Sequence, residues 1–203
     1  LTMETSNRSQ IIQSLVEMLR LAGMTGQEQA AAALANLARE SEDNRNSILN
    51  TDGIPPILAL LDSKSQTAKE NAVVAITELA RGSMENQAAV AAAGGVKKIV
   101  GLMHGFSAQT KDTAAWRLCA LAAAAIRELS RGDGESVNSE NQDAIAQAGA
   151  MAPLVTMLGV PSPQLQANVA AAMASLSKGH HGNQLAISKL GALPPLLGLV
   201  REG

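Results

Sequence analysis

Apolar and polar positions recur along the chain in one fixed order of segments. A polar-led segment that ends in glycine comes first, as in NQAAVAAAG at 86–94. A short apolar run follows, of which GIPPILALL at 53–61 is an example, and after a polar break comes a longer segment such as TAKENAVVAITELA at 67–80. Apolar residues at three- and four-residue intervals predict helices, and no window shows the alternation between turn signals that indicates a strand.

The junction between the first and second segments predicts a helix stop followed by a helix start. Glycine takes the left-handed conformation that ends a helix without strain, and Gly94, Gly149 and Gly191 stand at this point. Proline at the first helical positions costs little, because those N–H groups have no partner within the helix. The two prolines of GALPPLLGLV at 191–200 therefore begin a second helix.

The segments repeat with a period of 42 residues. The openings of the second helices are spaced by 42, 42, 55 and 42 residues, starting from Gln10. The motifs NLARE, ELARG and SLSKG stand at the ends of third segments, and the last residue of each lies 12 residues before the start of the next second helix. The last residue of the corresponding motif ELSRG lies 17 residues before it. Periods of this length are typical of helical arrays. We predict a single array with repeats at 1–51, 52–93, 94–148 (with 13 extra residues) and 149–190, and a partial repeat at 191–203.

The Gly-x-x-Pro-Pro junction, the preceding NQLAISKLG and the helix end ELARG resemble the armadillo repeat over essentially the whole chain. HEAT repeats are the nearest alternative, but they have two helices and lack this junction. The resemblance implies an all-α fold, a right-handed α-solenoid with three helices in each repeat of about 42 residues. Stacked repeats of this kind form a concave groove, which in this family is lined by the third helices.

The resemblance also implies where a partner would bind. Family members that carry cargo use a Trp and, four residues later, an Asn from each third helix. Each repeat has a corresponding pair of positions: Ala32 and Asn36 in repeat one, Val74 and Glu78 in repeat two, Ala171 and Ser175 in repeat four. Because Trp and Asn are missing from most of these positions, a nuclear-transport adaptor for basic cargo is disfavoured.

Repeat three allows two assignments of this pair. Alignment from the start of its third segment selects Trp116 and Ala120, and alignment from its end selects Ala124 and Glu128. The assignments differ by 8 residues, close to two helical turns. We therefore expect a third helix near 110–131 that is about two turns longer than the others, with five further residues in the following loop.

The family resemblance and the charge pattern together predict the partner-binding residues. A basic residue ends each third helix, where it either stabilises the helix dipole by about 0.3–1 kcal/mol or contacts a partner. The single Trp is either an interface anchor or core filling. The predicted groove residues are Asn36, Glu78, Trp116, Glu128, Ser175, Arg39, Arg81, Arg131 and Lys178.

Composition narrows the classes of function. The net charge of −2, with Phe106 and Trp116 as the aromatic residues, argues against nucleic-acid binding. The chain has no apolar run of about 18 residues, so no membrane insertion is predicted. A single cysteine, Cys119, fits a reducing, intracellular setting, which we predict to be the cytoplasm, with nuclear shuttling left open.

The sequence contains no constellation that indicates catalysis. The adjacent His180 and His181 lack the further ligands that a zinc site needs, and no nucleophile stands beside a base. We predict a non-catalytic scaffold without metal or cofactor that binds a peptide or helix of a protein partner. The alternatives that the resemblance leaves open are the substrate-recognition array of a larger ubiquitin ligase and a lipid-anchored or axonemal scaffold. The chain begins at Leu1 as a piece of a longer protein would. We expect exposed apolar surface on its last repeat, and hence either further repeats in the full protein or self-association.

Overall fold

The computed structural model describes residues 3–107, 109 and 112–202, and within these ranges it contains helices and no strand. The chain divides into two compact units at the Gly95–Val96 bond. The helices of unit 1 are α1 (Met3–Leu21), α2 (Met24–Glu40), α3 (Glu42–Asn50), α4 (Ile54–Ala59), a 3₁₀ helix (Leu60–Asp62), α5 (Gln66–Ala80) and α6 (Met84–Ala92). Helix α7 (Gly95–Gly101) begins at the boundary. The remaining helices of unit 2 are α8 (Thr113–Ser130), α9 (Ser139–Gln147), α10 (Met151–Met157), α11 (Pro163–Ser177), α12 (His181–Lys189) and α13 (Leu193–Glu202).

The core of unit 1 lies between α2 and α5, the predicted third helices of repeats one and two. Both are rich in alanine, which has the highest intrinsic helix propensity. Fully buried alanines, among them Ala31 and Ala38 on α2 and Ala75 on α5, are interspersed with the larger Leu34 and Ile76. The small side chains let the helices pack closely, while the larger ones fill the space between them.

Unit 2 has the same plan, with its core between α8 and α11. Ala122 and Ala125 on α8 are fully buried, as are Val169, Ala172 and Leu176 on α11. The shorter helices α9, α10 and α12 pack against these two. Each unit therefore places two neighbouring third helices side by side.

The three predicted glycine junctions are confirmed. Gly94, Gly149 and Gly191 have φ values of 80°, 86° and 80°, the left-handed conformation that ends α6, α9 and α12. In repeat two the left-handed residue is Asp52, with φ of 54°, so glycine is not required there. Aspartate tolerates this conformation better than most residues, because its short polar side chain can hydrogen-bond locally.

The prediction of a much longer third helix in repeat three is wrong. Helix α8 has 18 residues, against 17 in α2 and 15 in each of α5 and α11. It begins at Thr113 because the Asp112 carboxylate caps it, with Oδ1 accepting hydrogen bonds from the backbone N–H groups of Ala114 at 3.0 Å and Ala115 at 3.1 Å. Residues 110 and 111, where the helix was expected to begin, lie outside the described residues.

The extra residues of repeat three lie mainly in its loops. Helix α7 ends at Gly101 and α8 begins at Thr113, a longer interval than the one from Met157 to Pro163 between α10 and α11. The loop after α8 spans 131–138, whereas the corresponding loop after α5 spans only 81–83. The expected insertion after α8 is therefore present, and the repeat boundaries themselves stay a prediction.

Apolar side chains are exposed on the first and last described helices. On α13, Leu193, Leu197 and Val200 are 56%, 58% and 79% exposed, as expected for the last repeat. On α1, Ile11 and Leu21 are also more than half exposed. These faces resemble in composition the helix faces that are buried inside each unit.

Candidate functional site

In unit 1, the basic residues at the ends of α2 and α5 meet on one carboxylate. Oε1 of Glu78 lies 3.1 Å from Nε of Arg39, and Oε2 of Glu78 lies 3.0 Å from Nε of Arg81. The Glu78 side chain is only 7% exposed, whereas the two arginine side chains are about half exposed. Glu78 therefore holds the two guanidinium groups in place, and the arginines are the side chains that solvent reaches.

In unit 2, the Glu128 side chain is fully buried and pairs with two arginines, both on α8 or at its end. Oε1 of Glu128 lies 2.6 Å from Nη2 of Arg127, and Oε2 lies 3.5 Å from Nη1 of Arg131. Sequence reasoning missed Arg127, although its position beside Glu128 in IRELSRG was a visible signal. The buried negative charge is compensated inside the protein, and both arginine side chains remain partly exposed.

Ser175 on α11 stands at the position that corresponds to Glu78 and Glu128. Its hydroxyl donates to the backbone carbonyl of Arg127 at 3.1 Å and lies 2.9 Å from the hydroxyl of Ser130. Ser175 therefore joins α11 to α8. Of the other predicted groove residues, Asn36 is exposed on α2, and Lys178 is exposed at the end of α11.

The exposed charged residues on α8 and α11, and at the ends of these helices, are mainly basic. Arg117, Arg127 and Arg131 are exposed or partly exposed on α8 or at its end, and Lys178 caps α11. Glu128 is the sole acidic residue within these two helices, and it is buried, while the exposed Asp112 caps the start of α8. The third helices of unit 2 are therefore basic on their accessible side, although the whole chain has a net charge of −2.

A pocket of about 560 Å³ lies between the N-terminal halves of α8 and α11. Its wall consists of Thr113, Trp116, Arg117, Ala120 and Leu121 from α8 and of Pro161, Ser162, Pro163, Gln164 and Asn168 from α11 and the residues before it. Trp116 is partly buried, and its indole Nε1 is enclosed without a hydrogen-bond partner. The structure thus places Trp116 beside a pocket and not at the centre of the core.

The pocket wall is held together by a hydrogen bond between the two helices. The side-chain amide of Asn168 donates to the backbone carbonyl of Ala120 at 3.0 Å. In unit 1, the amide of Asn71 makes the corresponding bond to the carbonyl of Glu28 at 3.0 Å. These asparagines join adjacent third helices, a role that sequence reasoning did not assign to them.

The remaining polar candidates have structural partners. Nε2 of His180 lies 2.9 Å from Oδ1 of Asp143, and Nδ1 accepts a hydrogen bond from the backbone N–H of Asn183, which caps α12. Cys119 is buried, and burial raises the pKa of its thiol to about 11.

Within the described ranges, no three His, Cys, Asp or Glu residues are grouped as a metal would require. No described helix has the length and apolar character needed to cross a bilayer.

Comparison with known proteins gives matches at the level of the family and of the fold. Residues 41–81 and 138–178 match the family model of the armadillo/β-catenin-like repeat. No curated protein matched the chain in a sequence search.

Solved structures of designed proteins superpose on most of the chain. The designed armadillo repeat protein YIII(Dq)4CqI is 25% identical with a TM-score of 0.81, covering 93% of this chain and 74% of that protein. A computationally designed armadillo repeat protein for modular peptide recognition is 25% identical with a TM-score of 0.79, covering 93% and 74%. The designed protein YIII(Dq.V1)4CPAF, in complex with the peptide (KR)4, is 24% identical with a TM-score of 0.81, covering 96% and 83%. These matches confirm the all-α solenoid and the family resemblance found in the sequence.

Proposed function

We propose that this chain, which contains armadillo repeats, is a non-catalytic scaffold that binds a peptide or helix of a protein partner on its third helices. The observation that carries the proposal is the accessible side of α8 and α11, where basic side chains adjoin a preformed pocket. Charged and apolar groups presented together on rigid helices are suited to recognition, because little side-chain order is lost on binding.

The designed relatives support this proposal. One is described as made for modular peptide recognition, and another was solved in complex with a peptide. By analogy, the third helices of this chain would contact the partner. We propose that the exposed Asn36, Arg39, Arg81, Arg131 and Lys178, together with Trp116, make these contacts. The buried Glu78 and Glu128 and the partly buried Ser175 would act indirectly, by holding the arginines and the helices in place.

Selection of peptides against the whole chain tests the proposal. A library of random dodecapeptides would be displayed on phage, and the enriched peptides would be synthesised and their affinities measured by calorimetry. We expect enrichment, and we expect Lys178→Glu to weaken binding at least threefold. The matched control is Lys189→Glu, which reverses the charge of an exposed lysine on α12.

Two outcomes would count against the proposal. If no peptide is enriched over a selection without protein, the chain does not act as a peptide-binding scaffold. If enriched peptides bind both lysine variants and the unaltered chain equally well, and Arg39→Gln and Arg131→Gln are also without effect, the third helices are not the binding surface.

A further inference from the structure

We infer that unit 2 is a site for an acidic peptide segment, which inserts one apolar side chain into the pocket beside Trp116 and places its carboxylates against the basic side chains of α8 and α11. The inference rests on the proposed function and adds the chemistry of the partner and the place of its anchor residue. Three observations support it: the size and composition of the pocket, the rigidity of the pocket wall, and the basic side chains around the pocket.

The pocket has the size and composition of a binding site. Its volume of about 560 Å³ lies within the range of about 300–1,000 Å³ that is usual for ligand pockets. The apolar residues of its wall are Trp116, Ala120, Leu121, Pro161 and Pro163. Rigid aromatic side chains are favoured anchors in recognition sites, because they bury a large area with few rotatable bonds.

The wall of the pocket is already ordered. The Asn168–Ala120 hydrogen bond ties its two helices together, and the rings of Pro161 and Pro163 restrict the backbone on one side. The hydroxyl of Ser162 accepts the backbone N–H of Leu165 at 3.4 Å and so caps α11. The amide of Asn168 and the hydroxyl of Ser162 are engaged within the protein, and an apolar side chain that enters the pocket is removed from water against the apolar residues of the wall.

The surrounding charge selects an acidic partner. Among the residues of the pocket wall, Arg117 carries the formal charge, and it is exposed, while the exposed carboxylate of Asp112, next to Thr113, accepts hydrogen bonds from the backbone N–H groups at the start of α8. Arg127 and Arg131 continue the basic surface along α8, while Glu128 is buried and neutralised between them. The N-terminal end of α11 also borders the pocket, and the helix dipole makes such an end partially positive. A surface of this kind attracts carboxylates and repels lysine- and arginine-rich segments.

The pocket differs from the Trp and Asn positions of cargo-carrying family members. The structure places Glu128 at the position equivalent to Glu78, because each is buried and paired with an arginine three residues later. The Trp position of repeat three is then Ala124. Trp116 lies 8 residues before it, about 12 Å along the helix. An anchor beside Trp116 is therefore an additional contact, specific to unit 2.

The single tryptophan gives a direct measurement. The chain has one Trp and no Tyr, so its emission on excitation at 295 nm comes from Trp116. We expect the dodecapeptides enriched on the whole chain to share an apolar residue within two positions of Asp or Glu. We expect them to change the emission of Trp116 on binding. Replacing their acidic residues by Lys should weaken binding at least tenfold.

Variants of the pocket add a second test. Arg117→Glu should weaken binding at least tenfold, whereas Lys189→Glu, on α12, should change it less than twofold. Gln164→Phe places a large side chain at the exposed edge of the pocket and should weaken binding and remove the emission change. Gln147→Phe, at an exposed position at the end of α9, is its matched control. The circular dichroism of each variant would be compared with that of the unaltered chain.

The outcomes separate this inference from the proposed function. If peptides are enriched but are mainly basic, or if they bind without changing Trp116 emission and retain their affinity for Arg117→Glu, the inference is overturned and the proposed function stands. If no peptide is enriched, both fail. The emission change and the effect of replacing acidic residues are measured on the unaltered chain, so they decide the question even if a variant does not fold.

Discussion

The side-chain amide of Asn86 donates a hydrogen bond of 3.0 Å to the backbone carbonyl of Leu79, and Asn86 is 1% exposed. Leu79 lies in the last turn of α5, where carbonyl groups have no partner within the helix. The same bond occurs wherever a third helix is followed by a first helix: Asn44 to Leu37, Asn141 to Leu129 and Asn183 to Leu176. One buried asparagine in each repeat thus completes the end of a third helix and joins it to the next helix.

Removal of this amide should cost stability. Asn86→Ala leaves the Leu79 carbonyl buried without a donor, so we expect the free energy of unfolding to fall by about 1–3 kcal/mol. Asn50→Ala, at an exposed position at the end of α3, should change it by less than about 0.5 kcal/mol. Urea denaturation followed by circular dichroism measures both. Equal stabilities of the two variants would show that the buried amide contributes nothing.

Asp52 is the one described residue other than glycine with a positive φ. Two substitutions at this position should show how much a side chain in this conformation costs in stability. Both Asp52→Ala and Asp52→Gly remove its exposed ion pair with Arg20, and both keep the backbone carbonyl that accepts from Arg20 at 3.0 Å. Because only alanine has a Cβ that disfavours this conformation, Asp52→Ala should be less stable than Asp52→Gly by about 1 kcal/mol. Thermal unfolding of the pair would show this order, and the reverse order would contradict it.

The loop after α8 contains two glycines with positive φ that differ in their surroundings. A Cβ on Gly132 would collide with the backbone carbonyl of Ser136, whereas a Cβ on Gly134 would meet no atom within 4 Å. The carboxylate of Asp133 organises this loop by accepting the backbone N–H of Ser136 at 2.9 Å, and this bond lowers the pKa of Asp133.

We expect Gly132→Ala to lower the free energy of unfolding by about 1–3 kcal/mol more than Gly134→Ala. The two substitutions share the cost of a positive φ, so their difference measures the collision. Urea denaturation gives both values. If the two variants unfold at the same concentration, the loop adjusts and the close approach of Gly132 to Ser136 is not needed.

Cys119 should make stability depend on alkaline pH. Its pKa is about 11 in the folded protein, against a reference value of 9.0, because burial disfavours the thiolate. The unfolded chain therefore loses this proton first, and its contribution to stability is complete below pH 9 and is lost as pH rises through about 11. Unfolding measured from pH 8 to pH 11 should show a smaller decline in stability for Cys119→Ala than for the unaltered chain, and identical declines would contradict the assignment.

Native Cys119 should also react slowly with iodoacetamide at pH 8.

Local signals were sufficient to predict most of the helices. The glycines after the first helices and the prolines at the starts of second helices act within a few residues, through backbone conformation and unpaired N–H groups, so they can be recognised without the fold. The start of α8 depends equally on a local signal, the Asp112 cap, whereas alignment of the third segments predicts an earlier start. The insertion was therefore assigned to the helix when it lies mainly in the loops.

The sequence by itself determined the order of helices, the 42-residue period and the basic residue at the end of each third helix, because these depend on contacts between residues close in the chain. Only the tertiary structure decided which charges are accessible. Glu78 pairs with Arg39, which lies 39 residues earlier in the chain, on another helix. Trp116 borders a pocket whose wall also includes Pro161 and Pro163. Burial and pairing of this kind arise when separate helices pack together, and the pattern within one helix does not contain that information.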